Sequence, residues 1–181
     1  MSLVVYIWNP IDRIATSFLN GNWIQTEKFS SLSSSTGGLG HSALQAGDSY
    51  ISLWPPIQKD GRPFSASKNY NYDVQERIRR KPEHIIKLDN LPDLEARKFW
   101  STFSTPFNEV NNNCCHVVAK LLQIAKSEYL IKDERQSLSQ VARKTISDLG
   151  MNYLSATGNI IWSPGLVTNF ALALKLWSSK D

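Results

Sequence analysis

The sequence predicts an α+β fold in which a small antiparallel sheet packs against several helices. In the first half, runs of β-branched and aromatic residues alternate with glycine-containing turns. In the second half, apolar residues recur every three or four positions, which indicates helices. A chain of 181 residues, 41% of them hydrophobic, can bury one proper core. We therefore expect a single domain over residues 1–181.

Four stretches have the composition of strands. The first is Val4–Trp8, which is β-branched and aromatic. His41–Gln45 and Ser49–Trp54 flank the turn residues Gly47 and Asp48, a pattern that predicts a β-hairpin. The last is the short run His84–Leu88. Together these stretches supply the predicted sheet.

The segments around the hairpin read as loops, and a first helix follows the last strand. Residues 30–40 are rich in serine and glycine, and residues 57–72 look like an exposed connection. Asn90 is expected to cap a helix that runs to about Phe103.

Further helices are predicted in the C-terminal third. The run of asparagines before Cys114 is a start signal, so Cys114 should lie in the first turn of a buried helix. Residues 126–149 are charged and predict a second, more exposed helical hairpin. Ser163 as the cap and Pro164 as the first helical residue predict the last helix.

The charge and the N-terminus exclude several classes of protein. The net charge of +4 is mild and no dense block of Lys and Arg occurs, so we expect no nucleic-acid partner. The N-terminal residues lack the basic start and the cleavage site of a signal peptide. No apolar run approaches the roughly 20 residues that span a bilayer. Synthesis in a cytoplasm without a cleaved signal is the expectation.

The only two cysteines, Cys114 and Cys115, are adjacent. A disulfide between neighbours is strained, so both are expected to be free thiols. Neighbouring residues of a helix point about 100° apart, which argues against a shared metal ion. The N-terminus of a helix lowers the pKa of a thiol. Cys114 is therefore the candidate nucleophile, and Cys115 is expected to be a buried packing residue.

A nucleophilic thiol needs an imidazole on a separate element as its base. His116 lies two residues after Cys114, so its side chain leaves the helix about 200° away. His41 opens a strand directly after a glycine-rich segment, where a side chain can face a cleft. His84 is a weaker candidate before a short strand. We expect His41 to be the base and the other two to be structural.

These residues resemble the circularly permuted papain-like superfamily. The resemblance covers most of residues 38–175 and rests on four motifs in order. The motifs are Gly40-His41-Ser-Ala-Leu, Tyr50-Ile-Ser-Leu-Trp-Pro55, Asn113-Cys114-x-x-Val117-Val118-Ala119-x-x-Leu122 and Trp162-Ser-Pro164. The run Asn113-Cys-Cys-His116 also matches the Asn-Cys-x-His motif of lecithin retinol acyltransferase-like enzymes. The greatest similarity is to the Rho-inactivation domains of bacterial toxins and related effectors.

The resemblance implies a bacterial effector or toxin that acts by thiol-dependent acyl transfer. No cofactor would be bound, and acyl-coenzyme A would be the co-substrate. Relatives acylate lysines of host small GTPases, which implies a protein substrate of that kind and transient contact with a membrane. It also implies synthesis in a bacterial cytoplasm, secretion into a host or target cell, and an immunity protein or chaperone as partner.

The resemblance also favours Asp73 as the third member of the site, because the toxin-like family carries an acidic residue there. Asp89 and Ser52 are alternatives, Ser52 because papain-like enzymes often place a polar orienting residue on the strand that follows. The backbone N–H of Cys114 is a candidate oxyanion donor.

Two other functions stay open at the level of sequence. One is a cysteine peptidase or amidase that acts on peptidoglycan or an isopeptide bond. The other is a binding module that kept the fold without catalysis, which predicts that Cys114 and His41 lie beyond hydrogen-bond reach. An apolar tunnel near Cys114 would favour acyl transfer, whereas an open polar groove would favour peptide cleavage.

Overall fold

The structure is a computed structural model that describes residues 2–10, 40–56, 62–108, 111–132 and 162–179. It has a mixed α+β architecture with a small antiparallel sheet and several helices, as the sequence predicts. The strands are β1 (Leu3–Trp8), β2 (His41–Ala46), β3 (Ser49–Ile51), β4 (Leu53–Trp54), β5 (Ser65–Ala66) and β6 (His84–Leu88). The helices are α1 (Tyr70–Tyr72), α2 (Leu94–Ser101), α3 (Cys114–Lys132) and α4 (Pro164–Ser178), and a π-helical segment, Asp73–Arg77, continues α1.

The main sheet has the strand order β3-β2-β1-β6, and all its pairs are antiparallel. Trp8 at the end of β1 pairs with His41 at the start of β2. Leu3 at the other end of β1 pairs with Leu88. At about 3.4 Å per residue, these two ends of the sheet are roughly 17 Å apart. The register therefore puts His41 at one end and Asp89 beyond the other.

The predicted hairpin is confirmed, with a break that the sequence did not signal. Gly47 turns β2 into β3 with φ +54°, and a side chain there would meet the Asp93 carboxylate at 2.8 Å. The second strand then divides at Ser52, because β4 leaves the main sheet and pairs with β5. Ser52 is consequently fixed where the two sheets meet, and it is 1% exposed.

The core lies between the main sheet and two helices. Alternate residues of β1 point to one face, as expected for a strand, and α3 packs against β2 while α4 packs against β1 and β6. Burying a large aliphatic side chain contributes about 1.5–3 kcal/mol, so this layer is a main source of stability. Its completely buried aliphatic side chains include Leu3, Ile7, Leu44, Ile51, Leu88, Leu121, Leu122 and Leu174.

The start of α4 is as predicted, whereas α2 begins later than predicted. Ser163 accepts a hydrogen bond from the Leu166 N–H, with Pro164 in the first turn. For α2, Asp93 occupies the cap position instead of Asn90. The amide of Asn90 donates to the Ser178 carbonyl at 2.6 Å, so it ties the C-terminus of α4 instead of capping α2.

Two other predictions need correction. The predicted loop 57–72 contains β5 and α1 within its described part. The predicted separate hairpin 126–149 is also wrong at its start, because residues 126–132 continue α3. The rest of that hairpin, 133–149, and residues 30–39 of the serine-rich segment lie outside the described residues.

None of the helices within the described ranges is long and apolar enough to cross a bilayer.

Candidate active site

Cys114 is the first residue of α3, and Asn113 holds the helix start. The Asn113 carbonyl accepts from the Val117 N–H at 3.2 Å, and its side-chain oxygen accepts from the His116 N–H at 3.0 Å. Asn113 Nδ2 also donates to the Trp162 carbonyl at 3.4 Å, which links the helix to the segment before α4. The first amides of a helix have no intrahelical partner, so the thiol lies at the positive end of the helix dipole.

The two thiols lie on the inward side of α3, next to β2. Cys114 is 9% exposed, Cys115 is 3% exposed, and their sulfur atoms are 3.9 Å apart. Hydrogen bonding from Cys115, together with the charge and hydrogen bond of His41 and the Ser42 amide, lowers the pKa of Cys114 well below its ordinary value. These effects outweigh burial, which alone would raise it. The hydrogen bond with Cys114 and burial raise the pKa of Cys115.

His41 is buried and held on two sides by indole rings. It is 1% exposed and opens β2. Its ring stacks on Trp54, with centroids 4.1 Å apart and planes at 16°, and Trp8 lies 5.5 Å away. Gly40 allows the backbone to turn into β2 directly before His41. Its φ is +86°, and a side chain there would meet Pro164 at 2.6 Å. The position and plane of the imidazole are therefore fixed by packing.

A chain of buried hydrogen bonds connects His41 to Asp73 through Ser52. His41 Nε2 lies 2.9 Å from Ser52 Oγ, and Ser52 donates to Asp73 Oδ2 at 2.6 Å. Trp54 Nε1 donates to the same Ser52 oxygen at 2.9 Å. His41 Nε2 is 3.8 Å from Asp73 Oδ2, so the direct contact is an ion pair at most, not a hydrogen bond.

The number of protons available for this series of hydrogen bonds determines the tautomer of His41. A serine hydroxyl has one proton to donate and two lone pairs to accept with. Because the Asp73 carboxylate can only accept, the Ser52 proton goes to Asp73. Ser52 must then accept from both Trp54 and His41, so His41 carries its proton on Nε2. In the neutral ring, Nδ1 then has the lone pair that a base requires.

Asp73 is completely buried at the start of the π-helical segment and accepts four hydrogen bonds. Its Oδ2 accepts from Ser52 and from the Tyr50 hydroxyl at 2.7 Å, and its Oδ1 accepts from Trp54 at 3.1 Å and from Ser67. Burial, and then the charge of Asp73 and the hydrogen bond to it, raise the pKa of Tyr50. This carboxylate is positioned to stabilise a positive charge on His41.

The structure thus brings together four of the sequence candidates: Cys114, His41, Ser52 and Asp73. Asp89 is exposed at the far end of the sheet. His84 is exposed on β6 with its Nε2 3.4 Å from the Asn9 amide. His116 Nδ1 lies 3.0 Å from Asn113 Oδ1, within its own helix turn.

Sequence reasoning missed three side chains that bind Asp73: Tyr50, Trp54 and Ser67. A signal for the first two was available. Tyr50, Ser52 and Trp54 occupy alternate positions, which share one face of a strand. No comparable pattern points to Ser67, which follows β5.

Two grooves lie on the outward side of α3. One, of about 280 Å³, is lined by His116, Val117, Phe99, Phe103 and Trp162 among others. The second, of about 540 Å³, lies between α2 and α3 and shares Lys120 and Gln123 with it. His116, Lys120 and Gln123 are spaced along the face of α3 opposite to Cys114. Neither groove is lined by Cys114 or His41.

Within the described residues, no group of three or more His, Cys, Asp and Glu side chains is arranged to hold a metal ion. Comparison of the chain with protein-family models, curated proteins and solved structures finds no match.

Proposed function

We propose that the protein is a thiol-dependent acyltransferase or hydrolase in which Cys114 is the nucleophile and His41 the general base. The observation that carries the proposal is the buried chain from Asp73 through Ser52 to His41, which ends beside a thiol at a helix start. Structural residues seldom combine a thiol of lowered pKa, an adjacent imidazole and a satisfied carboxylate. His41 lies close enough to Cys114 to lower the pKa of the thiol, which supports a catalytic pair over a module that only kept the fold.

The proposed reaction begins when His41 Nδ1 takes the proton of the Cys114 thiol. The thiolate attacks the carbonyl carbon of the donor, and the N–H of Cys114 is one proposed donor to the resulting oxyanion. Collapse of this intermediate breaks the bond to the leaving group, which takes the proton from His41. A thioester on Cys114 remains. An amine or water then attacks the thioester, loses its proton to His41 and releases Cys114 as thiolate.

The finer fold assignment is part of this proposal. The histidine strand β2 precedes the cysteine helix α3 in the chain, and α3 packs against β2. That order and contact are what a circularly permuted papain-like fold requires. We therefore propose a circularly permuted papain-like fold, and the four sequence motifs named above support it.

We propose a long-chain acyl-coenzyme A as the donor and a lysine of a host protein as the acceptor. Cys114 belongs to the main apolar core cluster, which also contains Val118, Trp162 and Val167. A thiol with apolar neighbours suits an aliphatic acyl chain better than a charged peptide, because burying charged groups without partners is costly.

The test is intact-protein mass spectrometry after incubation with palmitoyl-coenzyme A. We expect the wild type to gain one palmitoyl group that hydroxylamine removes, as a thioester requires. Cys114→Ala should gain none. Cys115→Ala is the matched control, because it removes the neighbouring thiol and keeps the proposed nucleophile, so it should still gain the adduct.

An adduct that persists in Cys114→Ala would overturn the assignment of the nucleophile. If the wild type gives no adduct but iodoacetamide alkylates Cys114 rapidly at neutral pH, acyl transfer from coenzyme A is wrong and peptide or amide cleavage takes its place. If Cys114 reacts with neither reagent, the catalytic proposal as a whole is wrong.

A further inference from the structure

The two cysteine sulfurs are closer together than their places on the helix require. Side chains of neighbouring helix residues leave the axis about 100° apart. Here the Sγ atoms of Cys114 and Cys115 nonetheless lie 3.9 Å apart, within the range of a hydrogen bond between sulfur atoms. Both residues are buried. Their side chains converge on the same small space beside β2 instead of packing separately.

Ser42 on β2 affects both thiols. It is completely buried, and its main-chain N–H lowers the pKa of the Cys114 thiol. Its hydroxyl makes no hydrogen bond of normal geometry within the described part of the chain, and the Cys115 thiol is the polar group that it faces. A buried hydroxyl without a conventional partner is unusual in a folded protein. Its position is explained if it supports the Cys115 thiol.

The groups around the two sulfur atoms determine which thiol ionises more readily. The titratable groups that face Cys114 are His41 from β2 and Cys115 from its own helix, with Asp73 behind His41. Cys115 has the Ser42 hydroxyl and the Cys114 sulfur as neighbours. The pKa of Cys114 is lowered while that of Cys115 is raised. Cys114 therefore ionises before Cys115, and Cys115 is the sulfur that can donate its proton in the hydrogen bond between them.

We propose that Cys115 is a positioning residue whose S–H donates a hydrogen bond to the Cys114 sulfur and holds it as the reactive thiolate. Ser42 completes the arrangement, with its amide on Cys114 and its hydroxyl on Cys115. The proposal rests on the proposed function, because it assigns Cys115 a role only if Cys114 is the nucleophile. It replaces the expectation that Cys115 merely fills space.

The test is the pH dependence of Cys114 alkylation by iodoacetamide, with peptide mapping to separate the two cysteines. Only the thiolate reacts, so the rate rises with pH and its midpoint gives the pKa of Cys114. We expect Cys115→Val, which keeps the volume and removes the donor, to move the midpoint up by about one pH unit, a roughly tenfold change in the thiolate equilibrium. Cys115→Ser, which keeps a donor, should restore much of the shift.

Leu121→Val is the control for packing, since it changes a completely buried apolar residue on the same side of α3 and should leave the midpoint at the wild-type value. Ser42→Ala, which keeps Cys115 in place, should raise the midpoint by less than Cys115→Val does. Ser42→Ala tests the same role of Cys115 if the Cys115 variants do not fold.

Equal midpoints in the wild type, Cys115→Val and Ser42→Ala would overturn this role for Cys115. If the shared midpoint were low, the proposed function would still stand. A wild-type midpoint near that of an ordinary thiol, about 8.5, would overturn both.

Discussion

One histidine lies on the inward side of α3 and another on its outward side. The two differ in their position on the helix and in their hydrogen-bond partners. His41 meets the inward side, is 1% exposed, stacks on Trp54 and has its Nε2 bound to Ser52. His116 lies on the outward side and is bound to Asn113 in its own helix turn. His41 is 73 positions from Cys114 in sequence, and His116 is two.

Direction, and not distance along the chain, therefore selects the proposed base. A helix turns by about 100° per residue, so His116 faces away from Cys114 however close it is in sequence. A strand that packs against the helix can instead aim one side chain at the thiol and fix it from behind. If this is correct, substitutions on the inward side should change the chemistry and those on the outward side should not.

Among the residues that support His41, the largest effect is expected from Asp73→Asn. An asparagine amide has only one accepting oxygen, so Ser52 is no longer obliged to donate there and the tautomer of His41 is no longer fixed. Loss of the comparable carboxylate from a Ser–His–Asp triad costs about 10⁴-fold in rate. Because Ser52 intervenes here, we expect single-turnover acylation of Cys114 to slow roughly 10³-fold. The midpoint for Cys114 alkylation should also move to higher pH, because the positive ring beside the thiolate loses its stabilising charge.

Tyr50→Phe is the control for Asp73→Asn. It removes one of the four donors to the carboxylate and leaves the path through Ser52 intact. Its acylation rate should stay within about threefold of wild type, because three donors still stabilise the carboxylate and its contact with Ser52 is unchanged. Equal rates for Asp73→Asn and wild type would show that Asp73 only stabilises the fold.

Ser52→Ala should have the second-largest effect. It removes the bridge, and the remaining separation of 3.8 Å between His41 Nε2 and Asp73 Oδ2 is too long for a hydrogen bond. A hydrogen bond to a charged group contributes about 1.5–3 kcal/mol, so we expect acylation to slow about 10- to 100-fold. Ser52→Thr keeps a hydroxyl and should recover part of the rate. A Ser52→Ala enzyme with the wild-type rate would mean that Asp73 reaches His41 without the bridge.

Most of the inward side could be predicted from the sequence, because its signals are local. The hairpin follows from alternating residues around Gly47, and the start of α3 follows from the asparagines before Cys114. The sequence also supplied His41, Asp73 and Ser52, but it treated Asp73 and Ser52 as alternatives. They lie in series because the strand breaks at Ser52, and that break depends on the pairing of β4 with β5, which is a tertiary contact.

The errors in the helices have the same origin. Asn90 is a good cap by residue type, yet a tertiary bond to the Ser178 carbonyl takes its amide, and α2 starts at Leu94. The Glu128 carboxylate, on α3, accepts from the Glu95 N–H at 3.0 Å and so helps to cap the start of α2. That bond also explains a buried charge in the part of α3 that the sequence assigned to an exposed hairpin. No local pattern reveals either contact.

Trp54→Phe should have a smaller effect than Ser52→Ala. Phenylalanine keeps an aromatic face for the imidazole but removes the N–H that binds both Ser52 and Asp73. Two neutral-donor bonds are lost while the bridge itself remains, so we expect a slowing of about 3- to 10-fold. Trp54→Leu, which also removes the aromatic face, should be slower still. A larger loss for Trp54→Phe than for Ser52→Ala would mean that the indole, and not the serine, holds His41.

The smallest effect is expected from His116→Gln, the direct test of the outward side. Glutamine can still bond to Asn113 Oδ1, and the side chain points away from the thiol. The acylation rate and the alkylation midpoint of Cys114 should both equal those of the wild type, and the free energy of unfolding should change by no more than about 0.5 kcal/mol. His41→Gln, measured beside it, should abolish acylation because no other described imidazole adjoins Cys114. Loss of acylation in His116→Gln with an unchanged free energy of unfolding would give His116 a part in the reaction and remove the distinction between the two sides of α3.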